Sequence, residues 1–496
     1  MMTTNSSSSP PTTTTTMPSS CAVVCVRRIK SSSPHAGLSS QVHASSGGSH
    51  SSGTRDVQSH VQLGMFATSA IPRGTVVLHD DKPIAVLPTH THAWATPTCH
   101  QCLNPCIPQP GSHIAHAATQ AGAPDDVARR ARDLDDENDT STAVTCACGA
   151  TFCSSACESA AEEKWHAALC HDRGRGKRKR DKGDDGVAAK AFHEYASTRD
   201  EAYLLAARVT ACTLCSRDGH NNVNDFSIPQ ARGATEERAP LRLLSVGPQT
   251  RVLSKREAGR RRQAAQLFAR AMKAHVASWQ DVERKSAIGK EAASLFEHAV
   301  GVVHANAIGV ETETPASSYV ACLSESEQAM RGCTFVEALR HIALRAMEDD
   351  DSSDEDEDGN SDEDDSSSEG QQAAAAAADD DGGGADASNA VTIDIAPLAS
   401  TCASALSVEG SALYLLSSML NHACGAPDAN VEFAFLCGED GCGRGGDLTL
   451  LATRDIRAGE ELRVSYVSAE DVPVKSTRRA QLLERYGFMC SCSTCA

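Results

Sequence analysis

The chain has 496 residues, 40% of them hydrophobic but only 4% aromatic, and a formal net charge of −19. That length allows roughly two to four modules with a sizeable core, and the lack of any apolar run of about 18 residues excludes a membrane-spanning helix. The acidity belongs to one tract, because residues 348–386 hold 18 Asp and Glu and no Lys or Arg, leaving the rest of the chain at −1.

Residues 1–58 are rich in Ser, Thr and Pro, and their composition predicts a disordered tail. Residues 1–55 also lack any acid, as an organelle transit peptide does, so a targeting segment is the second reading of the same stretch. No basic start and apolar h-region mark a secretory signal, which points to a reducing compartment, nuclear or cytoplasmic unless the tail directs the chain to an organelle. Order is expected from Val61. Gly64-Met-Phe-Ala, then Ile71-Pro-Arg-Gly74 and Val76-Val-Leu78, read as two strands joined by a turn. Cysteine and histidine crowd residues 99–171, interrupted by a polar insert at about 107–143, and a basic run from Arg173 to Arg180 makes residues 172–186 a linker. Residues 187–303 are Ala- and Leu-rich with helical spacing, broken by polar loops at 216–262. An acidic loop at 346–390 follows. Strand-like runs return at Val431–Phe435, Leu448–Leu451 and Glu461–Tyr466 within residues 391–470, and residues 471–496 are cysteine-dense.

Of 21 cysteines, many fall in short pairs. Cys99 and Cys102, Cys146 and Cys148, Cys153 and Cys157, and finally His166 and Cys170 supply eight thiolate and imidazole ligands, the number two tetrahedral zinc sites need. A segment so poor in apolar residues cannot fold on a core alone, so metal is expected to supply folding free energy. Cys424, Cys490, Cys492 and Cys495 provide four more thiolates for a third closed site. Cys212 and Cys215 lie in a helical pattern and read as core.

Phe152-Cys-Ser-Ser-Ala-Cys157, with Trp165-His166 and Cys170, resembles the tail of the MYND zinc finger. That resemblance implies interleaved pairs: Cys99, Cys102, Cys153 and Cys157 on one ion, Cys146, Cys148, His166 and Cys170 on the other. The second pair departs from the usual spacing, and Cys106 could replace one of its members. Four further pieces resemble the SET domain in order: Gly64-Met-Phe-Ala; Asn421-His-Ala-Cys424; Arg454-Asp-Ile-Arg-Ala-Gly-Glu-Glu-Leu-Arg-Val-Ser-Tyr466; and the ending Arg485-Tyr-Gly-Phe-Met-Cys-Ser-Cys-Ser-Thr-Cys495. Together they resemble the SET/MYND protein-lysine methyltransferases across residues 60–496, inserts apart. On that likeness, residues 60–98 are the N-terminal SET part, 99–171 the finger, 187–345 the helical insertion and central SET region, 391–470 the catalytic core and 471–496 the post-SET segment.

The resemblance implies an α+β fold, mostly β, made of small SET-type sheets with a knotted C-terminal segment, a helical insertion, the finger and the cysteine-rich tail. It implies S-adenosylmethionine as cofactor, about three zinc ions, and methyl transfer to the side-chain amine of a lysine in a histone or another protein tail. Tyr466 would be catalytic and would also line the cofactor site. Gly64, Met65, Asn306, Asn421 and His422 would hold the cofactor, and Phe488 would stack near its adenine. Free lysine has a pKa of about 10.4, so a narrow apolar channel beside a sulfonium charge suits the chemistry by favouring the neutral amine. Taken singly, a tyrosine at a strand end is ordinarily just half-buried, and Asn-His before a cysteine can be a simple turn. Their company is what assigns them. The rival function is a silent adaptor whose finger binds proline-rich peptides; in either case no membrane and a monomer are expected.

Overall fold

A computed structural model describes residues 24–28, 63–80, 83–89, 97–107, 109–133, 142–172, 185–215, 244, 253–323, 336–351, 396–435, 446–467 and 472–495. The basic run, the acidic tract beyond residue 351 and Cys437-x4-Cys442 lie outside the described residues. None of the described helices is long and apolar enough to cross a membrane.

The chain enters through β1 (Val24–Arg28), which pairs antiparallel with β2 (Leu63–Ala67) from Val24 opposite Ala67 to Arg28 opposite Leu63. Val24–Arg28 falls inside the stretch expected to be a disordered tail. It is a short run of alternating valines within Ser- and Thr-rich sequence, and β2 gives it an edge to pair with. Beyond β2 the chain turns at Pro72 to Gly74, where Gly74 takes a φ of 75°, and enters β3 (Val76–Asp80). β2 and β3 are thus strands joined by a turn, but they do not pair with each other. β4 (Ala85–Pro88) is buried at every residue.

The polar insert expected at 107–143 contains two helices, α1 (Pro110–Gln120) and α2 (Asp125–Arg132). Pro110 sits in the first turn, and α2 places Asp125 and Asp126 at its start and Arg129, Arg130 and Arg132 at its end, which suits the helix dipole. Their buried stripe is built from small residues such as Ala115, Ala118, Ala128 and Ala131 around Ile114 and Val127, which is why the insert reads as polar. β5 (Val144–Thr145) and β6 (Thr151–Phe152) form a short hairpin, followed by α3 (Ser155–Ala161), a π-helical turn (Glu162–His166) and α4 (Ala167–Leu169). The Ser154 hydroxyl caps α3 by accepting from the Cys157 N–H.

Four longer helices follow: α5 (Asp185–Ser197), α6 (Glu201–Cys215), α7 (Lys255–His275) and α8 (Val282–Asn306). α7 opens with a capping box between Ser254 and Glu257. Phe192, Phe268 and Phe296 pack with centroids 4.9–5.8 Å apart. Cys99, Phe152 and Trp165 of the finger share this core with Leu205, Val209 and Phe296, so the cysteine-rich region is not a separable module.

The chain continues through β7 (Ile308–Thr312), α9 (Pro315–Leu323), α10 (Val336–Asp351) and α11 (Ala396–Leu406). α10 runs through residues 346–351, the start of the stretch expected to be a loop. α9, α10 and α11 pack on α1 and α2 around Val320, Leu339, Ile342 and Leu406. Next come β8 (Val408–Leu413), β9 (Asn421–His422), β10 (Val431–Ala434), β11 (Leu448–Ala452), β12 (Arg463–Val464) and α12 (Lys475–Tyr486). Two antiparallel three-stranded sheets result, ordered β10-β11-β3 and β4-β8-β7, while β9 and β12 pair in parallel. Gly410 is required where β8 passes β4, since a Cβ there would lie 2.8 Å from the Leu87 carbonyl and 2.9 Å from Leu103. The fold is α+β with small sheets, as expected. The mostly-β expectation is corrected for the chain as a whole, because among the described residues helices hold more of the chain than strands.

Candidate active site and metal centres

A cavity of about 230 Å³ opens between the end of α8 and the last strands. Asn306 and Ile308 form one wall, Ser418 and Leu420 another, and Phe433, Tyr466 and Tyr486 close it. Among the described residues, no charged side chain lines it. Two phenols and no Lys or Arg make the cavity tolerant of a cationic methyl donor and of an incoming amine, so the residues present fit the reacting end of S-adenosylmethionine.

Tyr466 is the centre of this arrangement. Its hydroxyl donates to the Leu420 carbonyl, and its ring lies 4.8 Å from Tyr486, 5.1 Å from His422 and 6.4 Å from Phe488. Burial pushes both phenol pKa values up, so each hydroxyl stays protonated at neutral pH. The Tyr466 backbone N–H donates to Nδ1 of His422 at 2.9 Å, which leaves the ring proton of neutral His422 on Nε2, facing the Cys424 sulfur at 3.1 Å. Burial, with Arg478 nearby, lowers His422 to about 4 and keeps the ring neutral.

The parallel pairing of β9 with β12 sets Asn421 opposite Arg463 and His422 opposite Val464. Asn421 donates to Glu461 Oε1 at 2.7 Å, and Arg463 holds the other Glu461 oxygen at 2.5 Å. Asn306 ends α8, donates to the Val302 carbonyl at 2.8 Å and accepts the Ser418 hydroxyl on its own carbonyl at 3.2 Å. Asn306, His422, Tyr466 and Phe488 therefore come together. Gly64 and Met65 lie in β2, with Met65 fully buried and its carbonyl accepting from Leu462 N–H, and neither lines the cavity. Sequence reasoning missed Tyr486, although it stands two residues before Phe488. It also missed Ser418 and Leu420, whose roles rest on main-chain geometry that no motif spells out.

Three quartets of ligand atoms converge, each within 4.8 Å: Cys99, Cys102, Cys153 and Cys157; Cys146, Cys148, His166 and Cys170; and Cys424, Cys490, Cys492 and Cys495. Cys106 is buried but stands outside all three. Sulfur separations of 3.6–3.8 Å in the first quartet, 3.6 Å between Cys146 and Cys170 and 3.6 Å between Cys424 and Cys490 are far too long for disulfides. They approach the roughly 3.8 Å edge of a tetrahedron with zinc–sulfur bonds of about 2.3 Å. The thiols also divide against one another: hydrogen bonds from Cys102 and Cys153 pull Cys99 far down, while Cys102 itself is pushed up. In the second quartet His166 faces Cys148 through Nε2 at 3.4 Å, and Glu162 Oε1 accepts from its Nδ1 at 2.7 Å, which orients the ring. Each quartet can hold one zinc ion.

Arg208 ties the first two quartets to the strands. Its guanidinium is buried, donates to the Val86 carbonyl at 2.5 Å and the His100 carbonyl at 3.1 Å, and lies 4.2 Å over the Trp165 ring.

A family model described as SET domain matches residues 243–467. The chain is 40% identical over 87 residues to histone-lysine N-methyltransferase ATXR2 of Arabidopsis thaliana, which is 18% of this chain and 16% of that protein. It is 38% identical over 94 residues to protein-lysine N-trimethyltransferase SMYD5 of Gallus gallus, 18% of this chain and 20% of the relative. A SET and MYND domain-containing protein of Dictyostelium discoideum is 34% identical over 107 residues, 22% of this chain and 28% of its own length. The chain thus spans less than a third of the length of these curated relatives. Strands β7 to β12 lie inside the segment that the SET-domain model matches, and the chain is similar to proteins named as lysine methyltransferases and as SET and MYND domain-containing.

Proposed function

We propose that the protein transfers methyl groups from S-adenosylmethionine to the side-chain amine of a protein lysine, foremost in histone tails. The observation that carries this reading is the uncharged cavity between Asn306 and Tyr466, in which two protonated phenols face each other at 4.8 Å. When bound, the cofactor supplies an electrophilic methyl group on a sulfonium. The chain's own residues supply position and environment. Phe433, Leu420 and the two tyrosine rings exclude water, which disfavours an ammonium and raises the fraction of neutral amine. The Tyr466 hydroxyl, aimed at the Leu420 carbonyl, fixes the narrow end of the channel, and Tyr486 forms its opposite side, so alignment contributes much of the acceleration. Asn306, Asn421 and His422 are read as holding the cofactor's amino and adenine portions, with Phe488 against the adenine and the Gly64–Met65 strand behind it.

The first two quartets are read as an interleaved MYND finger that recruits proline-rich peptides, and the C-terminal segment as threading beneath a preceding loop. A monomer working in the nucleus or cytoplasm, on lysine-bearing tails, completes the reading. No feature of the cavity favours the silent adaptor. Incubating the protein with labelled cofactor and histones, beside a Tyr466→Phe control, tests the proposal. Transfer that depends on Tyr466 supports it, and no transfer to any histone or lysine-rich peptide overturns it.

A further inference from the structure

Asp80 ends β3, 3% exposed, and no motif marks it. One of its carboxylate oxygens accepts both the backbone N–H of Ser417 at 2.9 Å and the Ser417 hydroxyl at 2.8 Å, across 337 residues of chain. Ser417 opens the 3-10 turn Ser417–Met419, closed by the Met419 N–H on the Leu416 carbonyl and the Leu420 N–H on the Ser417 carbonyl. Two of the cavity's fixed points hang from that turn. The Ser418 hydroxyl binds the Asn306 carbonyl, and the Leu420 carbonyl accepts the Tyr466 hydroxyl. A 3-10 turn is a poor hydrogen-bonding unit by itself, so an external acceptor at its first residue decides where it sits. The carboxylate takes the N–H left over at the turn's start and locks the Ser417 side chain with it.

We propose that Asp80 is a positioning residue of the methyl-transfer site, setting through the Ser417–Met419 turn both the Leu420 carbonyl that holds Tyr466 and the Ser418 hydroxyl that holds Asn306. The inference rests on the function proposed above. It assigns the alignment of the channel to a strand that the catalytic motifs do not contain, β3, which pairs with β11 in the sheet β10-β11-β3. Asp80 acts as an acceptor, so an amide oxygen in its place keeps the turn, whereas a leucine of similar size releases it.

The test compares Asp80→Asn, Asp80→Leu, Tyr466→Phe and the Asp80→Leu/Tyr466→Phe double variant of the full chain, each checked for zinc content. Asp80→Leu is expected to lower kcat by about 10- to 100-fold, the cost of a misplaced reacting group. Asp80→Asn is expected to stay within about threefold of the unaltered protein. Because one of the two routes from Asp80 runs through Tyr466, the double variant should lose clearly less than the product of the two single losses. Amide hydrogen exchange reads the turn independently of turnover: Asp80→Leu should speed exchange at residues 417–420 while Leu448–Ala452 stay protected, and Asp80→Asn should not. Multiplicative losses in the double variant, an asparagine variant as poor as the leucine one, or unchanged exchange at residues 417–420 in Asp80→Leu would each overturn the assignment. Absence of turnover in the unaltered protein would instead overturn the proposed function, and the exchange data would still judge Asp80.

Discussion

Tyr466 is the residue on which the proposed chemistry most depends. Its hydroxyl is committed to the Leu420 carbonyl, so its loss should disturb the channel rather than the cofactor's own anchors. Tyr466→Phe is expected to lower kcat by about 100-fold while cofactor affinity, measured by calorimetry, changes little. Asn421→Ala should show the opposite split, weakening the cofactor about tenfold, because it also frees Glu461 from the bond at 2.7 Å that squares β9 against β12. If both variants lose turnover with equal affinities, the division of roles is wrong. Tyr466, His422 and Phe488 could be singled out in the sequence because they sit in contiguous motifs, and the fold brings their rings within 5.1–6.4 Å of one another. Asp80, Ser418 and Glu461 could not, because their value lies in partners tens to hundreds of residues away. Arg208 belongs with them. A buried guanidinium bound to two carbonyls and a tryptophan face is invisible until the finger and β4 are seen to meet. Replacing it by leucine leaves those carbonyls unpaired and should cost about 2–4 kcal/mol of stability, read as a lowered urea midpoint.

At the scale of elements, the cysteine quartets were readable because short-spaced pairs are aimed by local turns, whereas what the quartets pack against was not. Cys99, Phe152 and Trp165 belong to the same core as α5 to α8, so losing the first ion should not stay local. Cys153→Ser is expected to lower zinc content from about three to about two and to reduce stability by at least about 3 kcal/mol, with α6 affected as well as the finger. Cys495→Ser should remove a different ion with a different consequence. That quartet carries Phe488, and α12 leads through Tyr486 into the cavity, so cofactor affinity and kcat should fall together with a smaller loss of stability. Elemental analysis together with thermal melts separates the two cases; equal melting losses would mean that the finger contributes no more to the core than the tail does. The helices α1 and α2 escaped the sequence reading for a compositional reason. Their buried faces are largely alanine, and alanine stripes carry little periodic hydrophobic signal.

For the whole molecule, the mixture of helices and small sheets could be read, though not the helical majority, because the segments that carry chemistry are punctuated by composition. The pairings could not, since β1 with β2 and β3 with β11 join residues whose register no local pattern sets. Composition does fix one property of the entire chain, its charge. Nearly all of the −19 sits in residues 348–386, which start in the last turn of α10 and precede α11 in the sequence, while the remainder is close to neutral. A basic lysine-bearing tail, the substrate proposed above, would therefore meet one concentrated negative source in this chain. Replacing residues 352–395 by a short Gly/Ser linker removes most of that source and no part of the described core, and closure entropy changes only slowly with loop length, so the melting temperature should hold. Association should change. At low ionic strength kcat/KM for lysine-rich peptides should drop several-fold, by up to about tenfold, and the difference should vanish near 0.5 M salt, where the screening length is only about 4 Å. Neutral peptides carrying the same lysine should show no such dependence. A replacement variant with unchanged kcat/KM on basic peptides at low salt would make the tract a spacer, and the steering would then have to come from the rest of the chain, whose net charge of −1 offers little of it.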